Sequence, residues 1–379
     1  MFLVKLILRY LRRRPGRTIF TVLGVASAML LFVSVESLSH GLHRALDADT
    51  NQRTLVVYRK NRYCPQTSFL PERYAKRIRE IEGVESVLPV KVYLSNCRAS
   101  LDIVAFQGTP VDELFGSRKF KVVAGDEARF RRDDNAALVG QEFATRRGLD
   151  PGDSFRFGDI NVDVAGIFAS QDPVEDGLIL THLEFLQRAG PVNRLGTVTQ
   201  FEVRIADASQ ATRITREIDE TFKTAEEPTH TRPRAEFLDS ATRELREILH
   251  FGRGFGIVCV LVVLVLVSNT VLMSVRERNR EFGVFLTLGY RGRHLLGLVL
   301  GETLMLTLIG TGLGLLGAFC LIHWSHLSIG VEGVNVGFSL SPGVFAVAAA
   351  LAFVVALVAG ILPAARAARA DVTDLLRSV

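Results

Sequence analysis

The stretch Phe255-Gly-Ile-Val-Cys-Val-Leu-Val-Val-Leu-Val-Leu-Val-Ser-Asn-Thr-Val-Leu-Met-Ser-Val275 runs without a charge straight into Arg276-Glu-Arg-Asn-Arg-Glu-Phe-Gly-Val-Phe-Leu-Thr-Leu-Gly289. A hydrocarbon core of about 30 Å takes about 20 apolar residues as a helix, so residues 255–275 read as a membrane span. The arginines that follow mark its cytoplasmic end, because Lys and Arg accumulate on that side of a membrane.

Working outward, three further apolar stretches have the same length: Thr18 to Ser39, Leu295 to Ile322 and Val344 to Leu362. The first follows a basic segment, as a signal peptide does, but its apolar run is long and no small-x-small cleavage site precedes His40,. It is read as a retained helix. Lys5, Arg9, Arg12, Arg13, Arg14 and Arg17 precede the first span without an acid. Arg276, Arg278, Arg280, Arg291 and Arg293 lie between the second and third, and Arg366, Arg369 and Arg377 follow the fourth. The loop from His323 to Gly343 has neither Lys nor Arg. This alternation predicts cytoplasmic termini and an external segment between the first and second spans.

The expected organisation is an α-helical membrane domain of four transmembrane helices, with an α+β extracytoplasmic domain of two subdomains inserted between the first and second. Residues 1–17 form an interfacial amphipathic helix, with Phe2, Leu3, Leu6, Ile7, Tyr10 and Leu11 on one face,. Spans cover 18–40, 251–275, 295–322 and 344–362. The external domain is 41–250, with 115–190 as its second subdomain and 235–250 as a stalk. Residues 276–294 are a cytoplasmic element, 323–343 an external loop and 363–379 a cytoplasmic tail.

Composition agrees with two environments. The 379 residues are 48% hydrophobic, with a mean hydropathy of +0.24, yet 41–250 is rich in charge. The net charge of +5 comes from arginines beside the apolar runs, where topology and anionic lipid headgroups account for them, so nucleic acid is not an expected partner.

Within 41–250, strands are expected at 55–58, 84–93, 101–106, 137–140, 154–157, 162–168 and 201–205, from alternating or continuous β-branched and aromatic residues,. Helices are expected at 71–82, 141–147, 208–224 and 235–250. Cys64 and Cys97 are either one disulfide or two thiols,.

Glu302 lies inside the third span, where a carboxylate is costly; it either pairs with a loop arginine or serves conformational coupling,. Gly297, Gly301, Gly310, Gly314 and Gly317 offer small faces for close helix packing,. His40 with His43, and His323 with His326, are i,i+3 pairs at the outer membrane side; without Cys or carboxylates at ligand spacing they are poor metal candidates,. No G-x-x-x-x-G-K-[ST], nucleophile elbow or HExxH occurs, so the chain is not expected to be an enzyme in its own right,.

Residues 276–289 resemble the cytoplasmic signature of the MacB/FtsX/LolC permease superfamily, in which a basic helix end runs into a Glu-(Ile/Phe)-Gly turn and a Thr-Leu-Gly. Leu300-Gly-Glu302, Pro363-Ala-Ala-Arg366-Ala-Ala-Arg369, the Arg-Arg-Pro-Gly-Arg-Thr before the first span, and residues 137–140 and 148–168 also resemble family positions. The resemblance implies that Arg278, Glu281, Phe282, Gly283, Leu288 and Gly289 form a coupling element docking on a separate cytoplasmic ABC ATPase, with Phe282 and Leu288 as apolar anchors. For the arginines alone, topology is an equal explanation.

The resemblance further implies no cofactor in this chain, ATP and Mg²⁺ in the partner ATPase, and a second permease copy or paralogue. A periplasmic adaptor and an outer-membrane channel are possible further partners, and membrane lipid surrounds the spans. The function it implies is transmission of ATP-driven motion to the external domain for export or extraction of a substrate, in a bacterial inner membrane. LolC/LolE-like lipoprotein release, FtsX-like control of cell-wall hydrolases and a non-transport membrane sensor stand as alternatives.

Overall fold

The computed structural model describes residues 10, 13–46, 53–62, 67–94, 104–170, 172, 174–190, 194–325, 328–331 and 334–369. The chain forms two compact units. One comprises residues 1–40, 248–324 and 339–379, the other 41–247 and 325–338.

The elements follow in chain order. Helix α1 is Pro15–Leu46, then come β1 (Thr54–Arg59), β2 (Leu70–Pro71), α2 (Tyr74–Arg79), β3 (Val84–Leu94) and β4 (Ala105–Thr109). Next are α3 (Val111–Ser117), β5 (Phe120–Gly125), α4 (Glu127–Arg132), β6 (Ala136–Gly140), α5 (Gln141–Arg147), β7 (Ser154–Phe157) and β8 (Ile160–Ser170). They are followed by β9 (Ile179–His182), α6 (Leu183–Arg188), β10 (Thr197–Val198), β11 (Gln200–Ile205), α7 (Ala211–Thr221), β12 (Thr229–Pro233) and α8 (Arg234–Ala241). The remainder is α9 (Arg243–Glu277), α10 (Asn279–Thr287), α11 (Gly292–Ser325), β13 (Ser328–Val331), β14 (Val334–Gly337) and α12 (Pro342–Arg369).

In the first unit, α1, α9, α11 and α12 are each long and apolar enough to cross a membrane. All four extend past the apolar stretches that announced them. Helix α9 has 35 residues, about 52 Å at 1.5 Å per residue, against a hydrocarbon core of about 30 Å. The expected stalk at 235–250 is therefore divided: α8 ends at Ala241, buried Thr242 donates its hydroxyl to the Leu238 carbonyl at 2.7 Å, and the rest is the start of α9. Helix α12 starts with Pro342 in its first turn, where no N–H is required, and the Ser341 Oγ accepts from the Val344 amide at 3.4 Å,. It continues through Pro363 to Arg369, where the fourth span was expected to end at 362; an internal proline deprives a helix of one backbone hydrogen bond.

Three of the five expected glycine contacts in the third span bring α11 against α1. A Cβ on Gly310 would stand 2.6 Å from Val25 Cβ, one on Gly314 2.6 Å from the Ala26 carbonyl oxygen, and one on Gly317 3.1 Å from Leu30 Cδ1. Gly297 has no such neighbour within 4 Å. Thr21 and Thr270 share a buried hydroxyl hydrogen bond of 3.0 Å between α1 and α9.

The second unit is built on one ten-stranded sheet, ordered β12-β1-β11-β3-β4-β9-β6-β8-β5, with β7 paired to β8. Pairing is antiparallel except between β4 and β9 and between β6 and β8. Alternation assigns the faces. Leu55 and Val57 on β1 and Phe201, Val203 and Ile205 on β11 pack with Ile78 of α2 and Ile214 and Ile218 of α7. Central β6 is buried on both sides, with Ala136 and Leu138 in one apolar cluster and Ala137 and Val139 in another. Such double burial is why Ala-Ala-Leu-Val carries no polar residue.

Residues 115–190, expected as a separate subdomain, supply β5–β9, which share the sheet with the rest of the unit through β4–β9. The expected strand at 101–106 falls partly outside the described residues and begins at Ala105. Cys64 and Cys97 also lie outside them. Residues 323–343, expected as a plain loop, contain the antiparallel hairpin β13–β14, which belongs to the second unit.

Candidate functional site

The residues quoted first fold into an elbow between α9 and α11. Helix α9 stops at Glu277, and Arg278 leaves helical geometry with φ −109° and ψ 12° before α10 resumes. Neither Pro nor Gly breaks the chain here. Arg278 instead turns its side chain to Glu302 of α11, donating from Nη1 to Oε2 at 2.7 Å and from Nη2 to Oε1 at 3.0 Å. Ser274 Oγ donates to the same carboxylate at 3.1 Å. The two side chains are 9% and 7% exposed. An ionised carboxylate persists in a span only when so paired, and the fork of a guanidinium matches its two oxygens.

A second ion pair holds the other side of α10. Glu281 accepts from the Tyr10 hydroxyl at 2.8 Å and from Arg13 Nη1 at 2.6 Å. Tyr10 lies beneath the Arg278 guanidinium, 3.8 Å from ring centroid to Cζ, a cation–π distance. One aromatic ring thus touches both pairs. Burial, then the hydrogen bond to Glu281, pushes the Tyr10 phenol up to about 12. Partial burial opposes ionisation of Glu281, but the hydrogen bonds from Arg13 and Tyr10 outweigh it and hold the carboxyl below the ordinary Glu value. Arg17 and Arg14 approach Glu277 at 3.3 and 3.8 Å.

The far end of α10 closes by its backbone. The Gly289 N–H bonds the Leu286 carbonyl at 3.1 Å and the Tyr290 N–H bonds the Phe285 carbonyl at 3.0 Å, the paired bonds of a Schellman ending. Gly289 has φ 88°, a value that favours glycine. The Tyr290 and Phe285 rings meet edge to face at 5.6 Å, the apolar contact that accompanies this motif.

Of the expected coupling residues, Arg278, Glu281, Phe282, Gly283, Leu288 and Gly289 all lie on this elbow, but they face different ways. Leu288 is 70% exposed, with Val284 and Tyr290 also exposed. Phe282 is 1% exposed and packs in the cluster of Val271, Val275, Leu295 and Leu298. Its expected role as an anchor for a partner is corrected to that of an internal wedge. Arg276, Arg280, Arg291 and Arg293 are exposed on the same segment of chain. Tyr10, Arg13 and Ser274 were not singled out for this site from sequence, and no spacing pattern links them to it.

The remaining candidates are elsewhere. His40 and His43 lie on α1 and His323 on α11, where its ring stacks on Phe319 at 5.6 Å; His326 lies outside the described residues. Among the described residues there is no group of three or more His, Cys, Asp or Glu able to hold a metal. Glu36 of α1 accepts two hydrogen bonds from Arg253 of α9, at 2.9 and 3.0 Å, and Ser39 Oγ accepts from the same guanidinium at 2.9 Å.

Four membrane-length helices, an inserted α/β unit and an elbow between the second and third helices are the architecture of a membrane protein with a large domain outside its spans. Residues 18–221 match the MacB-like periplasmic core domain and residues 253–372 the FtsX-like permease C-terminal family. The chain belongs to the MacB/FtsX family of ABC transporter permeases.

Its relatives include an uncharacterised ABC transporter permease of Methanocaldococcus jannaschii, 21% identical over 97% of this chain and 95% of that protein. An uncharacterised ABC transporter permease of Mycobacterium tuberculosis is 24% identical over 81% of this chain, which spans 36% of that protein. The macrolide export ATP-binding/permease protein MacB of Brucella abortus is 39% identical over 27% of this chain and 15% of its own length. Among solved structures, the periplasmic region of MacB from Actinobacillus actinomycetemcomitans aligns at a TM-score of 0.37 and 12% identity, covering 53% of this chain and 97% of that one.

Proposed function

We propose that this chain is the non-catalytic membrane subunit of an exporter in a bacterial inner membrane. It takes up ATP-driven motion from a separate cytoplasmic ATPase at the α9–α11 elbow and uses it to move the external unit. The carrying observation is the elbow's division of labour: Arg278, Glu281 and Phe282 tie it to the four-helix unit, while Val284, Leu288 and Tyr290 are exposed apolar residues on a segment that also carries exposed arginines. An apolar centre with a polar rim is the usual anatomy of a protein docking surface.

In this reading both termini are cytoplasmic, ATP and Mg²⁺ belong to the partner, and two permease copies, identical or paralogous, flank a pair of ATPases. The export named for the Brucella relative supplies the direction of transport, and a periplasmic adaptor with an outer-membrane channel would complete a path out of the cell. Leu288→Asp tests the docking face. Co-purification of the ATPase encoded by a neighbouring gene is expected to fall about tenfold, the thermal midpoint of the permease alone being unchanged because position 288 is exposed,. Full retention of the ATPase by Leu288→Asp would sink the proposal.

A further inference from the structure

The second unit contains a cavity of about 240 Å³ whose lining includes Arg53, Arg118, Lys119, Asp172, Glu202 and Arg234. At about 30 Å³ per water it has room for roughly eight, which suits a small polar solute or headgroup. Leu88 is its one aliphatic side chain, so an apolar molecule would find little to bury. Its ionisable lining consists of five cations and three carboxylates.

The carboxylates are already engaged. Glu202 accepts from Arg118 Nε at 3.3 Å and Nη2 at 2.9 Å, Glu175 accepts from the Ser170 hydroxyl at 2.6 Å and lies 3.6 Å from Arg118 Nε, and Asp172 forms an ion pair with Arg234 at 2.8 Å although its Oδ2 accepts no hydrogen bond. Gln107 Oε1 takes a further bond from Arg118 Nη2 at 2.7 Å. Arg204 is met by Glu85 at 3.4 Å. Three donors are left over. Arg118 Nη1 is buried without a hydrogen-bond partner, on a side chain only 5% exposed. Arg53 and Lys119 are exposed and have no ion-pair partner among the described residues. A buried guanidinium N–H without a protein acceptor is costly, and a water or a ligand oxygen at that spot would satisfy it.

We infer that this cavity binds a small oxyanion, a carboxylate or phosphate group, received by Arg118 at its wall and by Arg53 and Lys119 beside it. The ligand's charge matches Arg53 and Lys119, and its oxygens offer an acceptor to Arg118 Nη1,. Arg234 gives the site a mechanical address. It is the first residue of α8 and is held by Asp172, which lies between Ser170 and Glu175 of the same lining, so an occupant shares its surroundings with the root of that helix.

Isothermal titration of the full chain in neutral detergent, with sodium phosphate and sodium succinate against sodium chloride of equal ionic strength, is expected to show saturable binding of phosphate or succinate. The double variant Arg53→Ala/Lys119→Ala changes exposed positions; it should keep its unfolding midpoint and bind about tenfold more weakly. Arg118→Gln should abolish binding, and if it does not fold the double variant carries the test. Repeating the phosphate titration in nanodiscs of phosphatidylglycerol and of phosphatidylcholine identifies the source: a response lost only in phosphatidylglycerol assigns the site to a lipid headgroup, and one retained in both assigns it to a free solute. Heats no larger than those of chloride, or an unchanged affinity in the double variant, would overturn the site. Because neither readout involves an ATPase, failure here leaves the docking proposal standing, and the reverse.

Discussion

Arg253 within α9 and Arg278 just beyond its end each form a bidentate pair with a glutamate, and the two pairs differ in their surroundings. Arg253 grips Glu36 at 2.9 and 3.0 Å with side chains 41% and 25% exposed, whereas Arg278 grips Glu302 at 2.7 and 3.0 Å with side chains 9% and 7% exposed. Equal geometry does not mean equal consequence. An exposed pair exchanges one set of favourable contacts for another and contributes about 0–1 kcal/mol, while breaking a buried pair strands a charge and costs about 3–5 kcal/mol. The elbow end is therefore the fixed end of the helix.

The largest expected effect tests that asymmetry. Glu302→Ala should destabilise the purified permease by about 3–5 kcal/mol, read as a lowered unfolding midpoint in detergent, and Arg278→Met/Glu302→Leu should recover most of the loss. If the single variant unfolds like the parent, the pair is not the anchor described here. Arg253→Ala should cost at most about 1 kcal/mol, with a cost that shrinks as salt is added; a loss as large as that of Glu302→Ala would erase the contrast.

The smallest effect concerns Glu281, whose carboxyl is held below its ordinary value. A depressed carboxylate stabilises the fold above the unfolded pKa near 4.3, and that contribution disappears as pH falls through the folded value. Glu281→Gln should therefore be less stable than the parent at pH 7, by about 0.5 kcal/mol for a pair this exposed, and the difference should shrink as pH falls below about 4.3. A difference that persists at low pH would place its origin outside ionisation.

The spans were legible because lipid imposes a single requirement, an uninterrupted apolar run, which the sequence states directly. Their ends were not, since α1, α9 and α12 continue beyond the apolar stretch into residues that favour helix without needing lipid. The pairing of Glu302 with a loop arginine was one of two readings left open, and Arg278 makes it. Phe282 was misread because α10 carries apolar residues at 282, 284, 285 and 286, which over nine residues leave no clear periodicity to separate inward from outward faces. The contacts of Glu36 with Arg253 and of Tyr10 with Glu281 link residues more than two hundred positions apart, and local pattern does not reach that far. The β13–β14 hairpin did have a signal, alternating valines on either side of Glu332-Gly333,.

The Schellman closure at Gly289 separates shape from identity. Two backbone hydrogen bonds and one glycine at φ 88° set where α10 ends and how the chain leaves it, so the direction of the elbow does not depend on which side chains stand at 284, 287 and 288. Those outward positions are free to change in composition while the bend keeps its form. A substitution at 284, 287 or 288 is therefore expected to alter the surface of the elbow and to leave its direction as it is.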